Sequence, residues 1–582
     1  MPNADRSLSA VSTSVSSVLV AALLLLPMSG FSFGADVILN DPVWSVTALL
    51  YVSIAVAVST GFCVCMTCFH RSGARGSLLN VNALVWGVIS FSVLLQILPW
   101  RILPDSAVTR GQTWWTSFDA VFYSLSQQVA GRSVLYDFPS QYGLFCAILA
   151  PLFRVVGLSV LSFTVVCAAL QVLSLGGLFY VLSRRIKSAV VMLISGLALV
   201  SVTYETVLWL QGYEEPYFQY WPVRFFWPAV SVVAVHAFAQ SSTLRRSVVV
   251  SVISSIGAIW NLDSGIMIVI AFGVYLAAKW LVSREARPRL LKAMMLHVAV
   301  VLLGWVIFAT CLQVRAGHAL NWEMLVDYQR TFYLLGFMML PMPVRPDAWM
   351  SVMGMYLFGI LVSARAWSVN ARSRWPDLVF YLSLLGIGLF VYYQGRSHSL
   401  NLVTVCWPAL LICSLLVDRS LRAVKLITAD RGLIFLPIAG LAALLYCASP
   451  FLLHMDRFWA GSLRTVQTWS LPQDEYVQDE VRFIKRHSKT GEKCVILSKR
   501  QGIYYALTGL SNPIDGPGNA ELLLTRDRDN LFRQLRDNRF DCVFLGKGPD
   551  SAIDFGAPLG EALSGYRVVA SSNGGGLEYL VP

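Results

Sequence analysis

The residues able to do chemistry in this 582-residue chain sit in four polar stretches, each flanked by long apolar runs. In YYQGRSHSLNL (392–402), Arg396 and His398 share a short turn with Ser397 and Asn401, just after Tyr392 and Tyr393. The two tyrosines also suit an interfacial belt. Cations and neutral donors gathered at a membrane surface can seat a phosphate or pyrophosphate headgroup, and low dielectric strengthens such contacts. In QGYEEPYFQYWPVRFFWP (211–228), Glu214 and Glu215 precede an aromatic run that ends near Arg224. Adjacent carboxylates can hold a hard divalent cation such as Mg or Mn, or orient a sugar hydroxyl. The planar guanidinium fork suits a phosphate. In IWNLDSG (259–265), Asn261 and Asp263 interrupt an apolar run. A tight turn accounts for them; if the flanking segments are half-helices, Asp263 is buried and matters more. In FDAVFYSLSQQVAGRSVLYDFPSQYG (118–143), Asp119 opens an amphipathic helical stretch with Phe122, Leu125 and Val129 on one side. Asp137 and Tyr142 follow in an extended segment containing Pro139. Asp119 also fits a helix N-cap and Asp137 a turn.

The elements that must position these groups belong in a bilayer. The chain is 56% hydrophobic and 13% charged, with a mean hydropathy of +0.61. Soluble domains carry about 25% charged residues. Ionisable groups at membrane depth are costly and usually functional. The formal net charge of +12 is not a nucleic-acid signal, because the basic residues fall in short clusters between apolar segments. No nucleic-acid partner is expected. The cysteines lie mostly inside apolar runs, Cys63, Cys65 and Cys68 among them, and none has zinc-ligand spacing.

Segments of membrane-spanning length are expected near 14–33, 44–68, 81–100, 158–183, 188–207, 226–241, 247–261, 264–282, 291–314, 350–365, 377–394, 400–418 and 432–452. The first reads as a span and not a cleaved leader, since it has no clear small-residue cleavage site. With the N-terminus inside, six basic clusters (70–76, 184–187, 244–246, 283–292, 363–374, 418–431) all fall on the cytoplasmic side, as the positive-inside pattern requires. This alternation needs 143–157, which carries Arg154, to be an interfacial or re-entrant helix. The pair 247–261 and 264–282 also reads as one broken hairpin. The outer face then receives loops 101–157 and 208–225 and everything after about residue 453.

From about residue 473 the composition becomes that of a soluble domain. DEYVQDEVRFIKRHS reads as a helix and CVILS as a strand; QGIYYALTG is a helix ended by Gly509; a further helix and DCVFLG follow. GAPLGEALSGY, RVVAS and LEYLV complete an alternating pattern that predicts a small α/β layer with a mostly parallel sheet. Cys494 and Cys542 fall in two strands, where a disulfide or two buried thiols are both open. GPGN (516–519) and NGGG (573–576) read as turns. The expected fold is thus a polytopic α-helical membrane protein of about 13 spans, N-terminus in and C-terminus out, with a membrane domain over 1–455 and an extracytoplasmic α/β domain over 456–582.

This layout resembles the GT-C superfamily of integral membrane glycosyltransferases. The likeness in motif is confined to 118–143, where Asp119, Gly131, Tyr136, Asp137, Tyr142 and Gly143 resemble the family's first outer loop. Glu214 and Glu215 resemble its second acidic position. The acidic loop follows the third span here and not the first, and the family's Asp-x-Asp metal pattern is absent. The resemblance implies a polyprenyl-phosphate-linked sugar donor, a glycan, lipid or protein acceptor, and a bacterial plasma membrane with the site facing outward. It implies that Asp119 acts as the catalytic base or helps activate the acceptor. Arg224, Arg396 and His398 would then stabilise the departing phosphate, while Asp137, Tyr142, Glu214, Glu215, Asp263 and Tyr393 would line the substrate site. Glu214 and Glu215 would be the ligands of any metal. A polysaccharide polymerase or ligase shares the donor type. A flippase or transporter would need polar groups along both halves of the bundle and an internal repeat, and no repeat is evident.

Overall fold

The structure is a computed structural model. It describes residues 78–101, 118–203, 219–334, 340–344, 347–397, 399–426, 435–468, 475–489, 491–537, 540–548, 551–553 and 555–582. The expected spans 14–33 and 44–68 lie outside these residues, as do Glu214, Glu215 and His398.

Five described helices are long and apolar enough to cross a membrane: Val160–Arg185, Leu262–Val282, Arg284–Ala316, Ala348–Val369 and Trp375–Gly395. A sixth crossing results if Pro437–Leu453 and Met455–Leu463, bent by 41°, count as one. The chain is a membrane protein. Thirteen full-length spans are not found among the described residues. Ala189–Val202 and Phe226–Gln240 have 14 and 15 residues. At 1.5 Å per residue they reach roughly 21–23 Å, short of the ~30 Å hydrocarbon core. The expected span 400–418 is broken at Cys406 into Ser399–Val405 and Trp407–Leu426. Pro408 has no backbone N–H to continue the ladder across that joint.

The helices that position the site can be labelled in chain order: α1 Leu78–Arg101, α2 Ala120–Val129, α3 Phe145–Val156, α4 Val160–Arg185, α5 Ala189–Val202, α6 Phe226–Gln240, α7 Leu244–Trp260 and α8 Leu262–Val282. The expected interfacial segment is α3, a 12-residue helix containing Pro151. It buries Phe145, Cys146, Ala150 and Phe153 and exposes Val155 and Val156. Arg154 does not face lipid alone, because its guanidinium donates to the carbonyls of Gln128 and Val129 at the end of α2. Helices α7 and α8 pack as a hairpin turned at Asn261. A Cβ at Gly265 would collide with the Gly257 backbone, and this close approach sets the hairpin.

The expected domain boundary at 455/456 falls inside the bent helix pair. Met455–Thr468 packs on α1, with Trp459 against Phe91 and Ser462 donating to the Leu95 carbonyl. The α/β tail begins at Glu475–His487. Its four strands are β1 Cys494–Leu497, β2 Cys542–Gly546, β3 Arg567–Ser571 and β4 Leu577–Val581, in the order β1-β2-β4-β3. Only β1 and β2 are parallel; β2–β4 and β3–β4 are antiparallel. The expectation of a mostly parallel sheet fails because β3 and β4 are joined by a short turn, which permits only a hairpin. Cys494 and Cys542 are paired in register and form a disulfide. The tail does not stand apart. Val481, Ile503, Tyr504 and Phe544 share one hydrophobic core with Phe122, Leu125 and Phe145 of the first loop.

Candidate functional site

Arg224, in one of the four polar stretches, is the centre on which the other three converge. It ends the kinked segment Gln219–Arg224, in which Trp221 is extended ahead of Pro222, just before α6. Backbone bonds fix that segment: Trp260 Nε1 donates to the Val223 carbonyl at 2.7 Å, and Ser264 Oγ donates to the Arg224 carbonyl at 2.5 Å. Asn261 holds two elements at once. Its Oδ1 accepts from the Ser264 N–H to cap α8, and its Nδ2 donates to the Tyr142 carbonyl at 2.9 Å. Gly143, at φ +90°, lies so close to the Trp260 carbonyl and Asn261 Cα that a Cβ has no room. The loop can therefore press Tyr142 inward only because residue 143 is glycine.

The result is an aromatic clamp. The Arg224 guanidinium lies over the Tyr142 ring at 4.8 Å and over the Tyr392 ring at 4.6 Å. Tyr392 Oη donates to Asp263 Oδ2 at 2.9 Å, and Gln329 also hydrogen-bonds Asp263. Asp263 is half-buried, at the first turn of α8. A guanidinium stacked on aromatic rings is held as a flat cation, and Asp263 stops it from being a wholly uncompensated charge. Such a group can take a phosphate oxygen at its edge.

Asp119 lies in a second, closed compartment. It is fully buried beneath the tail, and its Oδ1 accepts from the Gly502 N–H at 2.7 Å, at the start of helix Gln501–Thr508. Burial pushes its pKa up to about 8, and the Gly502 bond opposes that shift. Glu521 of the tail is equally buried and accepts from the Gln141 N–H at 2.9 Å. Burial, aided by the charge of Asp119, raises it to about 8. Asp119 Oδ2, Glu521 Oε2 and Ser140 Oγ are buried with no partner among the described residues. Consecutive residues join the two compartments: Gln141 meets Glu521 while Tyr142 meets Arg224.

Other expected residues sit elsewhere. Asp137 closes a local turn, accepting from the Ser133 N–H at 2.6 Å, and stands 3.7 Å from Arg132. Arg132 in turn binds Asp515 and the Ile514 carbonyl of the tail. Asp137 therefore serves tail docking and not the Arg224 clamp. Tyr393 packs against Phe390, and its neighbour Tyr392 reaches Arg224 instead. The Arg396 side chain is exposed, while its carbonyl accepts from Asn401 and the Ser397 hydroxyl donates to the Tyr393 carbonyl. Ser397 and Asn401 thus hold the turn together. Sequence reasoning missed Gln329, Glu521 and Gly502. No local signal marks Gln329 or Gly502, and Glu521 stands in a segment without periodicity.

Among the described residues, the one group with three metal-type ligand atoms close together is Glu492, Cys494 and Cys542, and its two cysteines are joined as the disulfide. That donor set does not fit a metal.

No protein-family model matches this chain, and no curated protein matches it. Similar solved structures include two of one protein. One is the crystal structure of ArnT from Cupriavidus metallidurans bound to undecaprenyl phosphate, 12% identical, with a TM-score of 0.44, covering 87% of this chain and 98% of that one. The other is the same protein in the apo state, 13% identical, with a TM-score of 0.44, covering 86% and 97%.

Proposed function

We propose that this chain is a membrane glycosyltransferase that moves a sugar from a polyprenyl-phosphate donor to an acceptor glycan, lipid or protein at the membrane face carrying the tail. The observation that carries the reading is the Arg224 clamp. Four stretches far apart in sequence build it, and it lies at the end of the bundle where an anionic lipid headgroup would meet the tail. In this reading Arg224 takes the phosphate, and Tyr142 and Tyr392 hold the guanidinium flat. Asp263 fixes the Tyr392 hydroxyl. Charge that develops on the leaving phosphate is met by a cation already in place, so little reorganisation is required.

Asp119 is the proposed general base, accepting the proton of an acceptor hydroxyl as that oxygen attacks the anomeric carbon. In the covered state burial keeps Asp119 largely protonated at neutral pH; a shift of the tail removes that burial and frees the carboxylate to accept a proton. Because Gly502 covers it, the acceptor reaches Asp119 only when the tail shifts. Donor turnover tests the reading: proteoliposomes holding the full chain and a labelled polyprenyl-phosphate sugar should release polyprenyl phosphate in the presence of acceptor. No release across a panel of hexosyl and pentosyl donors would sink it.

A further inference from the structure

The other end of the bundle carries an unneutralised cation cluster. Three arginines from three elements converge on the last turn of α6. Arg185, the last residue of α4, donates from Nε to His236 Nδ1 at 3.2 Å. Arg246, in the first turn of α7, donates to the Ala237 carbonyl at 2.5 Å. Arg374, just before helix Trp375–Leu389, donates to the Gln240 carbonyl at 2.5 Å. Residues 236 to 240 span one helical turn, roughly 6 Å along the axis. The carbonyls at a helix end carry partial negative charge that welcomes a cation. Three whole charges exceed it.

No carboxylate balances them. Among the described residues, none of the three arginines has an acid within ion-pair distance. Two buried acids lie near the cluster and both are already engaged: Asp377, whose charge acts on Arg185, is held by Lys279 at 2.7 Å and Trp367 Nε1 at 2.9 Å, and Asp418 accepts from the Lys187 and Ser188 N–H groups and pairs with Arg422. The terminal Nη2 of Arg185 is buried and has no acceptor among the described residues. A guanidinium carries five N–H donors, so an oxygen-rich anion is the missing partner. The depth of the cluster is marked by the aromatics around it: Arg184 over Tyr180, Arg287 over Trp280 and Arg419 over Trp375. Cations stacked on Trp and Tyr at helix ends mark headgroup level.

We propose that Arg185, Arg246 and Arg374 form a seat for the phosphodiester headgroup of an anionic phospholipid in the leaflet opposite the Arg224 clamp. His236 holds Arg185 in place, and the lipid phosphate accepts from its buried Nη2. The seat ties α4, α6, α7 and the helix at 375 together at one end of the bundle. It is independent of the glycosyltransferase reading.

The test is native mass spectrometry of the purified full chain titrated with phosphatidylglycerol, phosphatidylcholine or inorganic phosphate. Phosphatidylglycerol should bind in preference to phosphatidylcholine. A surface arginine contributes roughly fivefold to anionic-lipid affinity, so R185Q/R246Q/R374Q should weaken binding by about a hundredfold. The lysine triple variant keeps the charge but loses the guanidinium donors, so its affinity should fall between the wild type and the glutamine variant, and Arg224→Gln should leave binding unchanged. If the glutamine triple variant does not fold, Arg374→Gln alone should bind about fivefold more weakly. Equal binding of both lipids, or undiminished binding in the glutamine variants, overturns the proposal. Loss of binding in Arg224→Gln places the lipid at the other end and overturns it too. Displacement of phosphatidylglycerol by equimolar inorganic phosphate would assign the seat to free phosphate instead.

Discussion

The backbone N–H of Gly502 donates to the carboxylate of Asp119 across 383 residues of sequence, at 2.7 Å. The bond joins the start of a tail helix to the start of α2 and leaves Asp119 without exposure. A Cβ at position 502 would sit 2.5 Å from Asp119 Oδ1 and 3.1 Å from the Tyr123 backbone. Only glycine lets the two helix starts approach this closely.

Asp119→Asn should abolish transfer while leaving the protein folded. Asparagine keeps an oxygen for the Gly502 N–H, so the docking contact survives while the proton acceptor is lost. Removal of a general base costs roughly 10²–10⁴ in rate. Turnover and the thermal melt of the same preparation check this; a fully active variant would remove the assignment.

Gly502→Ala should pry the tail from the first loop. Overpacking a buried contact costs about 1–3 kcal/mol. Limited proteolysis should then cut between the membrane helices and Glu475 faster than in the wild type. Unchanged protease resistance would show that the two surfaces do not meet at this point.

Docking of the tail should weaken as pH rises. Asp119 and Glu521 both titrate near 8 when covered, above their ordinary values near 4. The docked state therefore takes up protons. Docking carries no penalty below the ordinary values, loses strength between them and about pH 8, and bears the full penalty above that. Protease sensitivity of the tail, followed from pH 5 to 9, should rise across this window. Glu521→Gln should flatten the dependence by about half. A flat profile in the wild type contradicts the buried pair.

Arg224→Lys should not be conservative. An ammonium cannot lie flat over the Tyr142 and Tyr392 rings, and it lacks the guanidinium fork. Charge-assisted hydrogen bonds contribute about 1.5–3 kcal/mol, so affinity for polyprenyl phosphate should fall roughly 10- to 100-fold. Tyr392→Phe keeps the ring and loses the bond to Asp263, so its effect should be smaller. Equilibrium binding of labelled polyprenyl phosphate ranks the two variants. The reverse order would mean that the Tyr392 hydroxyl, and not the stacked cation, governs the site.

Breaking the Cys494–Cys542 disulfide should loosen the tail. It closes a loop between residues 48 apart, for which chain entropy alone gives roughly 4 kcal/mol. The double serine variant should lower the melting temperature of the tail, and reductant should do the same to the wild type. An unchanged melt would show that the bond contributes little.

Much of this architecture is legible in the sequence, because hydropathy sets helix positions before any contact forms. The helices Val160–Arg185, Leu262–Val282 and Ala348–Val369 fall where apolar runs predict them, and Gly509 ends its helix in the left-handed region as expected. Within the site, Tyr142, Arg224 and Asp263 are legible because polar groups in apolar runs are conspicuous. The choice between Tyr392 and Tyr393 is not. The two are adjacent, and the phase that turns one toward Arg224 depends on packing of the short helix Val391–Gly395. The covering of Asp119 is also hidden, since it depends on a contact with Gly502 that no local pattern encodes. The strand directions of β3 and β4 were readable from their short connection, and the alternating pattern of the tail masked them.

The most direct test is a structure of the full chain in a lipid bilayer with polyprenyl phosphate added. The account predicts phosphate density within hydrogen-bond reach of Arg224, beside Tyr142 and Tyr392, with the isoprenoid chain leaving toward the bilayer. An empty clamp, with the phosphate elsewhere or a continuous polar path through the bundle, would contradict it and favour a transporter.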